Sequence, residues 1–382
     1  MRRVEGFAVQ GRCPGVLRPM RSGDGLVVRL RPRLARLAAD QALALCNIAT
    51  VHGAGRIELT NRANLQLRGV REDRLPALRA DLDRLGLLDE TPEVEARRNI
   101  LVAPDWREED DTARIALDLM AQLGELSPLP AKVGFAIDAG TAPILQGDPA
   151  DFRIERGVSG RLILRAEGRA TGSALEQGRE ADALVRLACW FAESGGTAAG
   201  RMARLDAALP VWADWDEPPA APRARLKPGW QGRDPVLGPA FGQTDSRSLA
   251  RLVRETGAKA LRVTPWRLIV LEGASMLPAD PPQGFITAPD EPALRADACA
   301  GAPFCPQATV ETRALARRLA PHVAGSLHVS GCAKGCARPG RAGWVLTGRN
   351  GRFDLARNGR PGDPPEQFGL TAAAVLNRFG AA

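Results

Sequence analysis

Residues 57–69 read IELTNRANLQLRG, and residues 261–273 read LRVTPWRLIVLEG. Laid side by side without a gap, Leu59 meets Val263, Thr60 meets Thr264, Leu65 meets Ile269, Leu67 meets Leu271 and Gly69 meets Gly273. Each copy reads as strand, short turn and strand with period-2 alternation. Each follows a helical pattern: Arg33–His52 carries Leu34, Leu37, Ala38, Leu45 and Ile48, and Ser246–Thr256 carries Leu249, Leu252 and Val253. Two short hairpins can match by chance, but matching helices ahead of them favour duplication. The chain is expected to be α+β with a pseudo-twofold internal repeat.

Outward from the repeat, four cysteines stand in two close pairs. Cys299 and Cys305 form a C-x5-C in ACAGAPFCPQ, and Cys332 and Cys336 form a C-x3-C in VSGCAKGCARPG. Four thiolates from two such pairs suit an iron–sulfur cube. Gly331 and Gly335 precede the second pair, and glycine lets a loop wrap closely round a bulky group. Structural zinc favours C-x2-C knuckles, and disulfides need an oxidising compartment; the seven cysteines are also odd in number. Cys46 and Cys189 lie in helical apolar patterns and read as core residues. Cys13, before Pro14 and Gly15, reads as a loop residue open to either packing or the pocket.

The chain of 382 residues is long enough for two or more domains. Its formal charge is +8, spread along the sequence rather than gathered in a block. No aromatic-basic interleaving points to nucleic acid, and no apolar run reaches the length of a membrane span. The charged opening MRRVEGFAVQGRCPG lacks the apolar core of a secretory signal. A cytoplasmic protein is expected, with neither nucleic acid nor membrane as partner.

Between the repeats, strands are expected at Ile100–Ala103, Lys132–Asp138 and Leu162–Ala166, and helices at Arg114–Leu123 and Gly178–Ser194. Glu217–Gly229, EPPAAPRARLKPG, has the proline and glycine density of a linker. The tail is expected to hold a hairpin at Gly343–Leu355 and a helix at Thr371–Phe379. The domain reading is 1–80, 81–216, a linker at 217–229, then 230–288 and 289–382.

These features together resemble the nitrite and sulfite reductase family. The motif T-x-R-x-N/T-x-Q is present as TNRANLQLRGV, with Arg62, Asn64 and Gln66, and the R-N-hydrophobic motif as ARRNILVAP, with Arg98 and Asn99. The resemblance spans nearly the whole chain. It implies two ferredoxin-like half-domains and two larger α+β lobes, with a 4Fe–4S cluster on Cys299, Cys305, Cys332 and Cys336. Sulfite reductases carry a K-x-K pair that grips the inorganic anion. Here LPAKVGFAIDAG keeps Lys132 but has Gly134 in the second place, which weakens a site for a small, highly charged anion.

The opening GRCPGVLRPMRSGDGLVVRLRP, with LPAKVGFAIDAG and HVSGCAKGCARPG, is similar to one branch of that family, the precorrin-3B synthases. That resemblance implies an O2-dependent monooxygenation of precorrin-3A, a metal-free octacarboxylate tetrapyrrole. Carbon 20 of the macrocycle is hydroxylated, and the ring A acetate closes a γ-lactone. A sirohaem-dependent nitrite or sulfite reductase is the alternative. The resemblance places Arg62, Asn64, Arg98 and Lys132 at the substrate, and Arg18 and Arg21 are further candidates, since bidentate guanidiniums suit carboxylates. It also implies a mononuclear non-haem iron, whose ligands show no recognisable 2-His-1-carboxylate spacing, and NADH as net reductant. No nicotinamide fingerprint is present, so electrons are expected through a separate reductase or ferredoxin. Of the three histidines, His52, His322 and His328, His328 lies four residues ahead of Cys332.

Overall fold

A computed structural model describes residues 13–382 and, before them, the backbone of one antiparallel hairpin, Arg2–Val4 with Phe7–Val9. Gly11 and Arg12 of the amino-terminal motif lie outside the described residues.

The repeat holds at the level of single hydrogen bonds. In the first copy the Thr60 N–H donates to Asn64 O (2.9 Å), and Thr60 Oγ1 accepts from the Arg62 and Asn64 N–H groups (3.3 and 3.2 Å). In the second, the Thr264 N–H donates to Leu268 O (2.9 Å), and Thr264 Oγ1 accepts from Trp266 and Leu268 (3.3 and 3.1 Å). Ala63 and Arg267 both adopt positive φ, 51° and 61°, as do Gly69 and Gly273 at 66° and 68°. The left-handed conformation costs glycine little, which accounts for the paired glycines.

One local expectation is corrected. The stretch Arg33–His52 is not helical throughout: Arg33–Ala35 is a tight turn with Leu34 at φ 52°, Arg36–Ala38 is a strand, and the helix runs Ala39–His52. The apolar residues Leu37 and Ala38 belong to the strand, where a short run cannot be told from helix by periodicity alone. The second copy repeats the plan with Phe241 at φ 58°, the strand Gln243–Asp245 and the helix Ser246–Thr256. Asp245 caps that helix by accepting from the Ser248 N–H (2.9 Å), and Gly257, at φ 62°, ends it.

These two short strands are exchanged between the copies. Arg36–Ala38 pairs with Ala260–Val263 of the second copy, and Gln243–Asp245 pairs with Arg56–Leu59 of the first. One sheet therefore runs Gln243–Asp245, Arg56–Leu59, Leu65–Val70, Gly25–Leu30, Met20–Ser22. The other runs Gly229–Gln231, Asp234–Pro239, Ile269–Glu272, Ala260–Val263, Arg36–Ala38, with Phe285–Ile286 beside Asp234–Pro239. Glu272 ties the exchange by accepting two hydrogen bonds from Arg36 (2.9 and 2.8 Å) and one from Arg262 (2.7 Å). In the first sheet, alternation sends Val28, Leu30, Ile57, Leu59, Leu65 and Leu67 into the core shared with Leu45 and Ile48 of the helix Ala39–His52. Each such buried side chain contributes about 1.5–3 kcal/mol. The opposite face is left polar, and it faces the site.

The two larger lobes share a plan that the sequence did not disclose. In the first, Ile100–Val102, Phe135–Asp138 and Phe152–Arg156 are parallel, followed by antiparallel Leu162–Ala166 and Ser173–Ala174. In the second, Ala296–Ala298, Leu327–Ser330 and Ala342–Arg349 are parallel, followed by antiparallel Arg352–Gly359 and Gln367–Leu370. The helices Asp111–Ala121 and Glu180–Phe191 belong to the first lobe, and Arg313–Leu319 and Ala372–Arg378 to the second. The proline-rich stretch Glu217–Gly229 is strapped onto the first lobe. Pro219 bridges Gly157, and Arg223 and Arg225 pair with Asp105 and Asp148 at 2.6 and 3.2 Å.

Candidate active site between the cysteine loops and the first half-domain sheet

Cys299 follows the strand Ala296–Ala298, and Cys332 and Cys336 follow its parallel neighbour Leu327–Ser330. Both loops therefore leave the carboxyl edge of one sheet, where open α/β sheets gather their ligand groups. They are stitched together there. The Gly331 N–H donates to Cys299 Sγ (3.2 Å), Thr312 Oγ1 donates to Cys299 O (2.7 Å), and Ser330 Oγ donates to Cys332 O (2.7 Å). A side chain at Gly331 would stand 2.5 Å from Ala308 Cβ, so only glycine allows this approach.

All four thiols border one cavity. Burial raises the Cys332 thiol, and it pushes Cys336 up to about 11; in both, the neighbouring cysteines add to the effect. The four thiols share this cavity, yet among the described residues no three His, Cys, Asp or Glu side chains converge as they would round a single ion. Thiols set round a cavity rather than on a point match a cube, in which each cysteine binds a different iron. With the Gly331 N–H already donated to sulfur, the donor set fits such a group.

The cavity floor is the polar face of the first sheet, crossed by a continuous ladder. Arg29 donates to Gln66 Oε1 (3.1 and 2.7 Å), Gln66 Nε2 donates to Glu58 Oε2 (3.2 Å), and Gln243 Nε2 donates to Glu58 Oε1 (3.1 Å). Arg313 donates to the same Glu58 oxygen at 2.7 Å. Burial alone would raise the Glu58 carboxyl, but Arg313 and Arg68 outweigh it and hold it below the ordinary range. Arg29 is pushed down to about 10, first by burial and then by Arg31 and Arg62. Its partners are the Gln66 amide and Cys13, not a carboxylate. It thus brings an uncompensated cation to the cavity.

Both loops are also pinned to the half-domains. The carbonyl of Phe304, next to Cys305, accepts from Arg68 Nη2 (2.9 Å), Ser22 Oγ (2.9 Å) and the Gly23 N–H (3.2 Å). The carbonyl of Ala337, next to Cys336, accepts from Arg267 Nη2 (2.6 Å). A larger open groove of about 820 Å³ lies beyond the Ala300–Phe304 wall, but its lining contains no thiol and none of Arg62, Asn64, Gln66, Arg98, Asn99 and Lys132.

The sequence candidates separate by environment. Arg62 and Lys132 come together, Arg62 Nη2 donating to the Lys132 carbonyl (2.8 Å) while the Lys132 side chain is exposed. Burial lowers the Arg62 pKa against the opposing influence of Cys13, and Arg201 lowers it further. Gly134 completes this corner: a Cβ there would meet Asn99 O at 3.0 Å and Arg62 Nη1 at 3.3 Å. No lysine fits at Gly134 without shifting Arg62. Asn64 is buried and its backbone closes the Thr60 turn. Arg98, 9% exposed, makes a bidentate pair with Asp89 (2.7 and 2.8 Å) and donates to the Arg31 carbonyl. Arg18 and Arg21 pair on the surface with Glu93 (2.6 Å) and Glu72 (2.7 Å), although Arg21 also borders the cavity. Arg29, Arg68, Glu58 and Arg267 were not singled out by the sequence. Their alternation with buried neighbours was the available signal, but many arginines share it.

No ligand set for a mononuclear iron is found among the described residues. His52 Nε2 pairs with Asp81 (2.6 Å), His322 is exposed, and His328 is wholly buried. Among the described residues, no helix is long and apolar enough to cross a membrane.

Comparison with known proteins agrees with this geometry. Residues 18–85 match the model for the nitrite/sulfite reductase ferredoxin-like half domain. The solved structure of Mycobacterium tuberculosis NirA superposes with a TM-score of 0.65, covering 92% of this chain and 79% of that one at 19% identity, which establishes the fold. A precorrin-3B synthase from Sinorhizobium sp. is 33% identical over 414 aligned positions, covering 97% of this chain and 88% of the relative. With that extent of identity laid over the reductase fold, the chain belongs to the precorrin-3B synthase family.

Proposed function

We propose that this chain is the oxidoreductase that converts precorrin-3A to precorrin-3B. One atom of O2 enters the macrocycle at carbon 20, the ring A acetate closes the γ-lactone, and the second oxygen leaves as water. The two electrons come in net from NADH, through a separate reductase or ferredoxin. The observation that carries the reading is the Gly134 corner, in a chain aligned over 97% of its length with a precorrin-3B synthase. Where an anion reductase has a second lysine, any side chain would press on the Asn99 carbonyl and the Arg62 guanidinium.

Cys299, Cys305, Cys332 and Cys336 would hold a 4Fe–4S cluster, which supplies electrons singly. Arg62, Lys132 and Arg29 offer cationic groups to the substrate carboxylates, and a fixed guanidinium orients as well as attracts. Arg98 acts from behind, holding the Arg31 carbonyl and the Asp89 turn. Asn99 Nδ2 donates to the Val133 carbonyl (3.2 Å) and so steadies the Lys132–Gly134 segment. Reduced thiols and cluster assembly suit a cytoplasmic location.

The test is anaerobic reconstitution followed by iron and sulfide analysis, acid–acetone extraction, and turnover of precorrin-3A under labelled O2 with a reductant. About four iron and four sulfide, no sirohaem, and one labelled oxygen in the product are expected. Stoichiometric sirohaem with sulfite or nitrite reduction would overturn the reading in favour of an anion reductase.

A further inference from the structure

His328 has an environment that protein contacts alone do not account for. It is fully buried, and neither ring nitrogen has a hydrogen-bond partner. A neutral imidazole carries one N–H donor and one bare nitrogen, and burying such a donor unpaired is unfavourable. A phenylalanine or leucine would fill the same space without that penalty.

The strand pattern shows where the ring lies. Leu327 and Val329 face the apolar core of the cysteine lobe, so His328 and Ser330 face the other way. Ser330 reaches the Cys332 carbonyl, and a Cβ on Gly335 would stand 3.6 Å from His328 Cε1. The ring therefore packs against the loop that carries Cys332 and Cys336. Asp297 is its register partner on the neighbouring strand, but both carboxylate oxygens are taken, by Arg267 (3.0 Å) and Arg338 (2.9 Å). Burial, opposed by Asp297 but joined by Arg338 and Arg267, pushes the imidazole down to about 4.

We propose that the His328 N–H is reserved for the sulfurs of the cluster–thiolate unit held by this loop, and that it sets how readily the unit accepts an electron. The inference rests on the cluster assignment above. An N–H donated to sulfur stabilises the more negative, reduced state and raises the reduction potential. His328 is thus a positioning and tuning residue rather than a catalytic one.

The experiment is an EPR-monitored redox titration of the full reconstituted chain, with iron and sulfide counted first. Absence of iron–sulfur in the unaltered protein would sink the cluster assignment itself. With about four iron present, His328→Phe is expected to lower the reduced-to-oxidised ratio at a fixed potential about tenfold, which is about 59 mV for a one-electron couple. His328→Gln, which keeps an N–H, should recover part of the shift. Should His328→Phe fail to hold iron, pulsed EPR on unaltered protein labelled with 15N-histidine decides. A histidine nitrogen coupling to the reduced cluster is expected; His52 is engaged by Asp81 and His322 is exposed. Identical potentials in the iron-replete Phe variant, or no histidine coupling, would overturn the proposal.

Discussion

Arg68 Nη2 lies 2.9 Å from the carbonyl oxygen of Phe304, so a strand of the first half-domain holds the residue that precedes Cys305. Arg68 is 7% exposed and also makes a bidentate pair with Asp24 (3.0 and 2.8 Å). Arg267 does the same service for the other loop at Ala337. Arg68→Ala leaves Asp24 buried without its cation and frees the Cys305 loop. A loss of about 3–5 kcal/mol is expected, with iron content falling more steeply than secondary structure. Denaturant titration of the iron-free chain and iron analysis of the reconstituted one separate the two effects. Unchanged iron retention would refute the anchoring role.

Glu58 collects hydrogen bonds from Gln66, Gln243 and Arg313, elements drawn from both half-domains and the cysteine lobe. Glu58→Gln replaces one acceptor oxygen with a donor facing donors. The expected destabilisation is about 2–4 kcal/mol, read by urea unfolding. A variant as stable as the parent would show that the ladder is dispensable.

At Gly134, an alanine Cβ must displace either the Asn99 carbonyl or the Arg62 guanidinium by a few tenths of an ångström. Gly134→Ala should therefore weaken precorrin-3A binding about tenfold, equivalent to about 1.4 kcal/mol, while global stability changes little. Fluorescence quenching by the tetrapyrrole measures it. Gly134→Lys is expected to bind still less and to gain no sulfite reduction. Appreciable sulfite turnover by that variant would contradict the packing argument.

The Glu272 carboxyl is held down to about 2, first by hydrogen bonding to Arg36 and then by Arg262, against the pull of burial. Its folded form binds fewer protons than the unfolded one between about pH 2 and 4.5. Its stabilisation is accordingly complete above about pH 4.5 and is lost as pH falls towards 2. After allowance for solvent screening, the parent should lose about 0.5–1 kcal/mol through this group between about pH 7 and 4. Glu272→Gln should be less stable at neutral pH and lack that part of the acid slope. Parallel pH profiles for parent and variant would refute it.

The duplicated turn was legible because it is local: Thr60 and Thr264 bond within four residues of themselves, and their glycines need positive φ. The helix Ser246–Thr256 was read from the spacing of Leu249, Leu252 and Val253, and the structure ends it at the same residues, between the Asp245 cap and Gly257. The exchanged strands were not legible. Arg36–Ala38 is too short for periodicity, and its partner is distant in sequence. Motif spacing singled out the four cysteines, which border one cavity, and Arg62 and Lys132, whose contact with each other it did not foresee. The ladder of Arg29, Gln66 and Glu58 was only partly found, since Gln66 was noted and its neighbours were not. Cross-strand partners depend on register, which one strand alone does not state. The duplication of the larger lobes lies in strand order, which leaves little trace in composition.

The strand exchange bears on how the chain comes off the ribosome. Ala38 and Ala260 are direct partners although roughly 220 residues separate them. Until the second copy emerges, Arg56–Leu59 has an open edge and Arg36–Ala38 has no sheet. Contacts of such long range form late, and an open strand edge is a site for wrong pairing. Synthesis of the carboxyl half is thus a folding event for the amino half, and a chain cut between the copies would leave two fragments each waiting on the other for a strand.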